Sequence, residues 1–96
     1  MSTYVLAYDV GTTSMKTCLF ALTDRITLLA DAVEGYELYM MENGGVEQDP
    51  EDWWRAMCRA TRQVLAVSGI SPHQIAGLSF CGQMQGLVLV DANGAP

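Results

Sequence analysis

The chain has 96 residues, half of them hydrophobic and 17% charged, with a formal net charge of −6 at pH 7. That is enough for one small packed domain and too apolar for a disordered segment. The acidic balance argues against a nucleic-acid partner, because a phosphate backbone is held by Lys and Arg.

No uninterrupted apolar stretch approaches the ~20 residues needed to span a bilayer, so no membrane association is expected. The start, "MSTYVLAYDV", lacks a basic leader and carries Asp9 inside its apolar run, which predicts no signal peptide and a cytoplasmic location. Cys18, Cys58 and Cys81 lie far apart with no CxxC pair, and they read as small buried hydrophobes with free thiols. The lone His73 has no cysteine nearby, which argues against zinc.

In chain order, residues 3–9 ("TYVLAYD") predict a largely buried strand, and residues 15–22 ("MKTCLFAL") a second. After the polar "TDR" turn, residues 26–34 predict a third strand with Ile26, Leu28, Ala30 and Ala32 on one face. The short link between the first two strands suits an antiparallel hairpin, so the chain should begin as a meander. Residues from Glu34 to Gln48 have no helical period and contain paired glycines; they predict a loop with some extended structure.

A helix should follow. Asp49 is a good N-cap, Pro50 suits the first turn, Glu51 and Asp52 favour the positive end of the helix dipole, and Gly69 fits the stop. Trp53, Met57, Ala60, Val64 and Val67 share one face, with Trp54, Cys58, Thr61 and Leu65 beside them. Both tryptophans therefore read as core. Glu51 and Arg55 form an i,i+4 pair, while Arg55, Arg59 and Arg62 read as a solvated face. After a short "SPHQ" turn, residues 75–81 predict a buried strand and residues 87–90 ("LVLV") another, before turn residues "DANGAP". The expected order is β, β, β, α, β, β.

The chemistry concentrates in "YDVGTTSMK", which ends on the only lysine. Gly11 to Lys16 and Thr17 nearly match a P-loop, but Met15 stands where the second glycine belongs and a strand follows instead of a helix, which rules that motif out. A hairpin turn can still cradle phosphate through exposed backbone N–H groups, which Gly11 favours. Thr12, Thr13 and Ser14 add hydroxyl donors and Lys16 a point charge. Asp9 would repel phosphate unless a cation lay between them, and Mg²⁺ held through water resolves that conflict. The alternative is a polar hairpin with a satisfied aspartate and an outward lysine.

Three stretches together resemble the amino-terminal part of the FGGY carbohydrate kinases, and more specifically their xylulokinase-like members. "YDVGTTSMK" looks like the family's first phosphate motif, "GGVEQDPEDWW" resembles the approach to its first long helix, and "GLSFCGQMQGLVLVD" is similar to its Gly-Gln-Met-His-Gly sugar segment. Their order and spacing agree over essentially the whole chain. The resemblance implies an α/β, ribonuclease H-like partial domain of the actin, heat-shock chaperone and hexokinase superfamily. Its mixed sheet would begin with the antiparallel meander and continue through the helix and later strands.

It further implies that residues 1–96 are the amino-terminal part of a first domain, truncated, with the second domain absent. The cofactors implied are ATP and Mg²⁺. Asp9 would place the metal through water, Gly11, Thr12, Thr13, Ser14 and Lys16 would contact ATP phosphates, and Met84 and Gln85 would line the sugar pocket. Gln85 departs from the family's histidine. A tryptophan reaches a sugar face only by analogy.

The catalytic base is expected beyond residue 96. The parent function implied is ATP-dependent phosphorylation of a sugar hydroxyl, of a ketopentose such as xylulose, with the fragment alone inactive. Its partners would be the sugar and either the remainder of the kinase chain or a second copy. The competing reading is a non-catalytic nucleotide- or sugar-binding or interaction fragment of the same fold.

Overall fold

Polar turns cut the first third of the chain into three strands that pair because each is rich in β-branched and apolar residues. A computed structural model describes residues 2–83 and 86–96; the expectations for Met84 and Gln85 fall outside the described residues. Strands β1 (Thr3–Val10), β2 (Ser14–Leu22) and β3 (Ile26–Gly35) form the antiparallel meander. A two-stranded ribbon follows, β4 (Tyr39–Met40) with β5 (Val46–Glu47), closed by a turn in which Gly44 takes φ 86°. Helix α1 (Pro50–Ser68) then leads through a 3-10 turn at Pro72–Gln74 to β6 (Ile75–Gly82). Strand β6 returns parallel to β1, giving the order β3-β2-β1-β6.

The helix ends are as the sequence predicts. Asp49 Oδ1 accepts from the Glu51 N–H at 2.9 Å, and Gly69 closes the other end with φ 74°. The buried stripe is rotated from the predicted one: Ala56, Ala60 and Val64 face the sheet, whereas Val67 is 75% and Trp54 59% exposed. Small alanines let α1 lie close over β2 and β3, and a helix this short of bulk cannot bury its flanks as well. Trp53 and Met57 pack partly buried against the core. Arg55 pairs with Asp52 at 2.6 Å, one residue nearer than the predicted Glu51. Arg59 reaches Glu34 at 3.4 Å, and the arginines stay exposed.

Under α1 the sheet contributes Leu6, Tyr8, Met15, Thr17, Leu19, Ala30 and Ala32, all buried. The prediction for β3 fails at its start, where Ile26 is 73% exposed. The register shifts between Leu19, opposite Ala30, and Phe20, opposite Leu28. One extra residue in a strand flips the side chains beyond it to the other face, so Ile26 and Leu28 leave the helix side. Cys18 and Cys58 are half-buried free thiols, but Cys81 is exposed, on the sheet face that no helix covers.

Residues 87–90 form no strand and are exposed. Strand-like composition is not enough without a neighbouring strand to receive the backbone hydrogen bonds, and none lies beside them among the described residues. No helix among the described residues is long and apolar enough to cross a membrane.

Candidate functional site

Because β1 and β2 are antiparallel, their connection projects Gly11–Ser14 from one end of the sheet. The turn is closed by the Gly11 N–H donating to the Ser14 carbonyl at 2.9 Å. A Cβ on Gly11 would sit 2.9 Å from that same oxygen, closer than real Cβ contacts allow, so this position requires glycine.

Every carbonyl of this turn is engaged, those of Gly11, Thr12 and Thr13 from outside it. The Tyr36 hydroxyl donates to the Gly11 carbonyl and lies 2.9 Å from the Ser14 carbonyl. The Tyr36 N–H donates to the Thr13 carbonyl at 3.1 Å, and the Gln48 Nε2 donates to the Thr12 carbonyl. In contrast, the N–H groups of Thr12 and Thr13 donate to no other described residue, and both side chains are exposed. With carbonyls held back and N–H groups free, the turn presents a partial positive charge of the kind that holds oxyanions.

Asp9 and Lys16 stand directly opposite each other across β1 and β2, exposed, on the sheet face away from α1. They make no ion pair among the described residues, which leaves both charges available at the base of the turn. Cys81 is the β6 neighbour of Asp9. Local desolvation first, and then the Asp9 carboxylate, push the Cys81 thiol above its ordinary value. Burial and then the charge of Asp9 likewise raise Tyr36, so the phenol remains a protonated donor at neutral pH.

Among the described residues no three acidic, His or Cys side chains cluster to hold a metal. A single carboxylate beside a phosphate cradle does fit Mg²⁺, which keeps several waters and shares its remaining positions with substrate phosphates. Asp9, exposed at the base of the turn, has the chemistry such a position asks for.

The structure thus brings together Asp9, Gly11, Thr12, Thr13, Ser14 and Lys16. It also adds residues that the sequence did not single out: Tyr36, Gln48 and Gln83. Gln83 donates its N–H to the Val10 carbonyl at 2.9 Å and its Nε2 to Gln48 Oε1 at 3.0 Å. A cavity of about 620 Å³ opens beside them, lined by Thr12, Gln48, Trp53, Gln83 and Leu87. The Trp53 Nε1 is enclosed there without a hydrogen-bond partner among the described residues.

A sequence profile of the FGGY family of carbohydrate kinases, N-terminal domain, matches residues 4–96. The chain belongs to that family. Its relatives include the xylulose kinase of Staphylococcus epidermidis, 35% identical over 92 residues, a match that takes in 96% of this chain and 18% of the relative. The glycerol kinase of Bdellovibrio bacteriovorus is also 35% identical over 92 residues, with the same coverage of 96% and 18%.

The crystal structure of xylulose kinase from Rhodospirillum rubrum superposes with a TM-score of 0.82 at 28% identity, over 96% of this chain and 18% of that one. The chain therefore spans about 18% of the length of the curated relatives it matches. Mixed α/β architecture, an antiparallel meander and a helix leading to a parallel strand make this FGGY unit a partial ribonuclease H-like domain.

Proposed function

We propose that residues 1–96 are the phosphate-holding part of an ATP-dependent sugar kinase, whose substrate is a ketopentose such as xylulose. The observation that carries this reading is the Gly11–Ser14 turn, with every carbonyl engaged and the Thr12 and Thr13 N–H groups free beside Asp9 and Lys16. Phosphoryl transfer asks little covalent chemistry of a protein; it asks for position and for neutralisation of charge on the phosphate oxygens. The Thr12 and Thr13 N–H groups and the hydroxyls of Thr12, Thr13 and Ser14 would hold phosphate oxygens, and Lys16 would offset their charge. Asp9 would fix the waters of Mg²⁺, and that metal supplies further charge neutralisation when bound.

In the transfer, a terminal sugar oxygen bonds to the γ-phosphorus, the bond to the ADP oxygen breaks, and the hydroxyl proton passes to a base. That base would lie elsewhere in the kinase, since this reading gives Asp9 to the waters of Mg²⁺. Met84 and Gln85 remain the proposed sugar contacts. Glutamine offers both a donor and an acceptor to a polyol hydroxyl, and the similarity to both a xylulose kinase and a glycerol kinase fits a polyhydroxylated acceptor. Exposed apolar residues such as Leu28, Val33, Leu78 and Phe80 would be covered by the rest of the kinase chain.

The test is transfer of labelled phosphate from ATP to a panel of ketopentoses, hexuloses and polyols by the complete kinase carrying this domain. A ketopentose should be the best acceptor, and Asp9→Asn should lower turnover on the order of a hundredfold. Absence of labelled sugar with every acceptor, or an Asp9→Asn variant with unchanged rate and magnesium dependence, would refute the assignment.

A further inference from the structure

Thr12, Gln48 and Gln83 form a continuous chain of amide hydrogen bonds between the tip of the phosphate turn and the end of β6. Its polarity is fixed by its far end. The Thr12 carbonyl can only accept, so the Gln48 group facing it is the NH₂, and Gln48 Oε1 therefore faces Gln83. Gln83 must then offer its own NH₂, at 3.0 Å, which leaves Gln83 Oε1 as an acceptor at the end of the chain. The Gln83 backbone N–H is also tied, to the carbonyl of Val10, the residue before Gly11. Movement of Gln83 consequently strains the turn from both ends, at Val10 directly and at Thr12 through Gln48.

Gln48 is well placed as the middle link. It lies between β5 and the N-cap Asp49, half-buried, on backbone held by the ribbon and by the first turn of α1. The Tyr39 hydroxyl donates to Asp52 Oδ2 at 2.6 Å, which binds that ribbon to the helix. The cavity of about 620 Å³ borders all the members of the chain, so a ligand there meets the relay and not merely one residue of it.

We propose that Gln48 is a positioning residue that couples Gln83, at the end of β6, to the phosphate turn, so that a sugar held in the cavity beside Gln83 tightens the hold on nucleotide phosphate, and nucleotide tightens the hold on sugar. The coupling is reciprocal, as linked binding must be. It rests on the kinase reading above. Its size is set by one hydrogen bond in a connected network.

The experiment is calorimetric titration of the complete kinase with the magnesium complex of the non-hydrolysable β,γ-imido analogue of ATP. The dissociation constant is measured with and without the panel sugar that is phosphorylated best, D-xylulose being the first choice. Wild type should bind the analogue more tightly with sugar present. In Gln48→Ala that ratio should shrink about three- to tenfold, whatever happens to each affinity measured alone.

Gln83→Ala should reduce the ratio equally, and the double variant should be no worse than either single one, because a broken chain cannot be broken twice. Gln48→Glu keeps the size of the side chain but replaces the donor to Thr12 with a carboxylate oxygen, so it must lose the ratio too, even where Gln48→Ala folds poorly. A ratio retained in these variants, or a wild-type ratio of one, would overturn the inference while leaving the kinase reading intact. Wild type that bound neither the analogue nor any sugar would overturn the kinase reading and this inference with it.

Discussion

Residues 14–22 and residues 87–90 are both runs of apolar and β-branched residues, yet only the former is a strand. Strand β2 lies between β1 and β3 and is paired along both edges, with Met15, Thr17 and Leu19 buried beneath α1. Residues 87–90 have no neighbouring strand among the described residues, and Leu87 and Leu89 are 82% and 78% exposed. The same side chains thus behave as core in one place and as surface in the other. What differs is whether a neighbour accepts their backbone hydrogen bonds and covers their apolar faces.

The comparison is broken or upheld most sharply by matched truncations. Leu19→Ala should destabilise the domain by about 2–5 kcal/mol, since the side chain is fully enclosed and its loss leaves a cavity. Leu89→Ala should cost less than about 0.5 kcal/mol, because the site is already in water. Urea midpoints of the two variants measure the difference. Equal losses would mean that residues 87–90 are buried in solution and that the contrast is false.

A second contrast separates the paired end of the meander from its turn. In Tyr36→Phe the Gly11 carbonyl loses its donor, while the Ser14 carbonyl keeps the Gly11 N–H. A lost hydrogen bond at an ordered carbonyl is worth about 1–2 kcal/mol, so the KM for ATP should rise about five- to thirtyfold with stability changed less than in Leu19→Ala. Because burial and Asp9 both raise the phenol, the donor persists through neutral pH, and the wild-type KM should show no step there from Tyr36. An unchanged KM in Tyr36→Phe would mean that the turn holds its shape without being tethered.

Much of this was legible beforehand, and the failures have identifiable causes. The meander, the caps of α1, the "SPHQ" turn and the tight turn at Gly11 follow from local signals: short polar connections, Asp49 with Pro50, Gly69, and Gly11 before a run of hydroxyls. The buried stripe of α1 was misjudged because the large Trp54 and Val67 carry more apolar weight than Ala56, although the closest approach to a sheet favours the alanine. Ile26 and Leu28 were misplaced because a bulge between strands has no signature in alternation alone.

Tyr36, Gln48 and Gln83 went unnoticed for a different reason. The partners of their side chains are backbone carbonyls and an amide 22 to 36 residues away, and no local pattern marks such a bond. The one available hint was position: Gln48 immediately precedes the helix N-cap, where a side chain is held firmly enough to brace another loop.

The smallest expected effect concerns Cys81, which lies beside Asp9 on the exposed face of β6. Its thiol is raised first by local desolvation and then by the charge of Asp9, its neighbour across the strands. A raised thiol carries less thiolate at a given pH, and the thiolate is the species that reacts. Cys81 should therefore be alkylated more slowly than a free cysteine near neutrality, despite being exposed, and its rate should climb only at higher pH. Asp9→Asn removes the negative neighbour, lowers the thiol toward its ordinary value and should speed alkylation a few-fold at constant pH. Mg²⁺ with nucleotide should act in the same electrostatic direction while shielding the sulfur, so only Asp9→Asn isolates the charge. Mass spectrometry of iodoacetamide-treated protein, read at the Cys81 peptide over a pH series, measures each rate. Equal rates for wild type and Asp9→Asn at every pH would show that the carboxylate exerts no charge effect on the thiol and points away from the β6 edge.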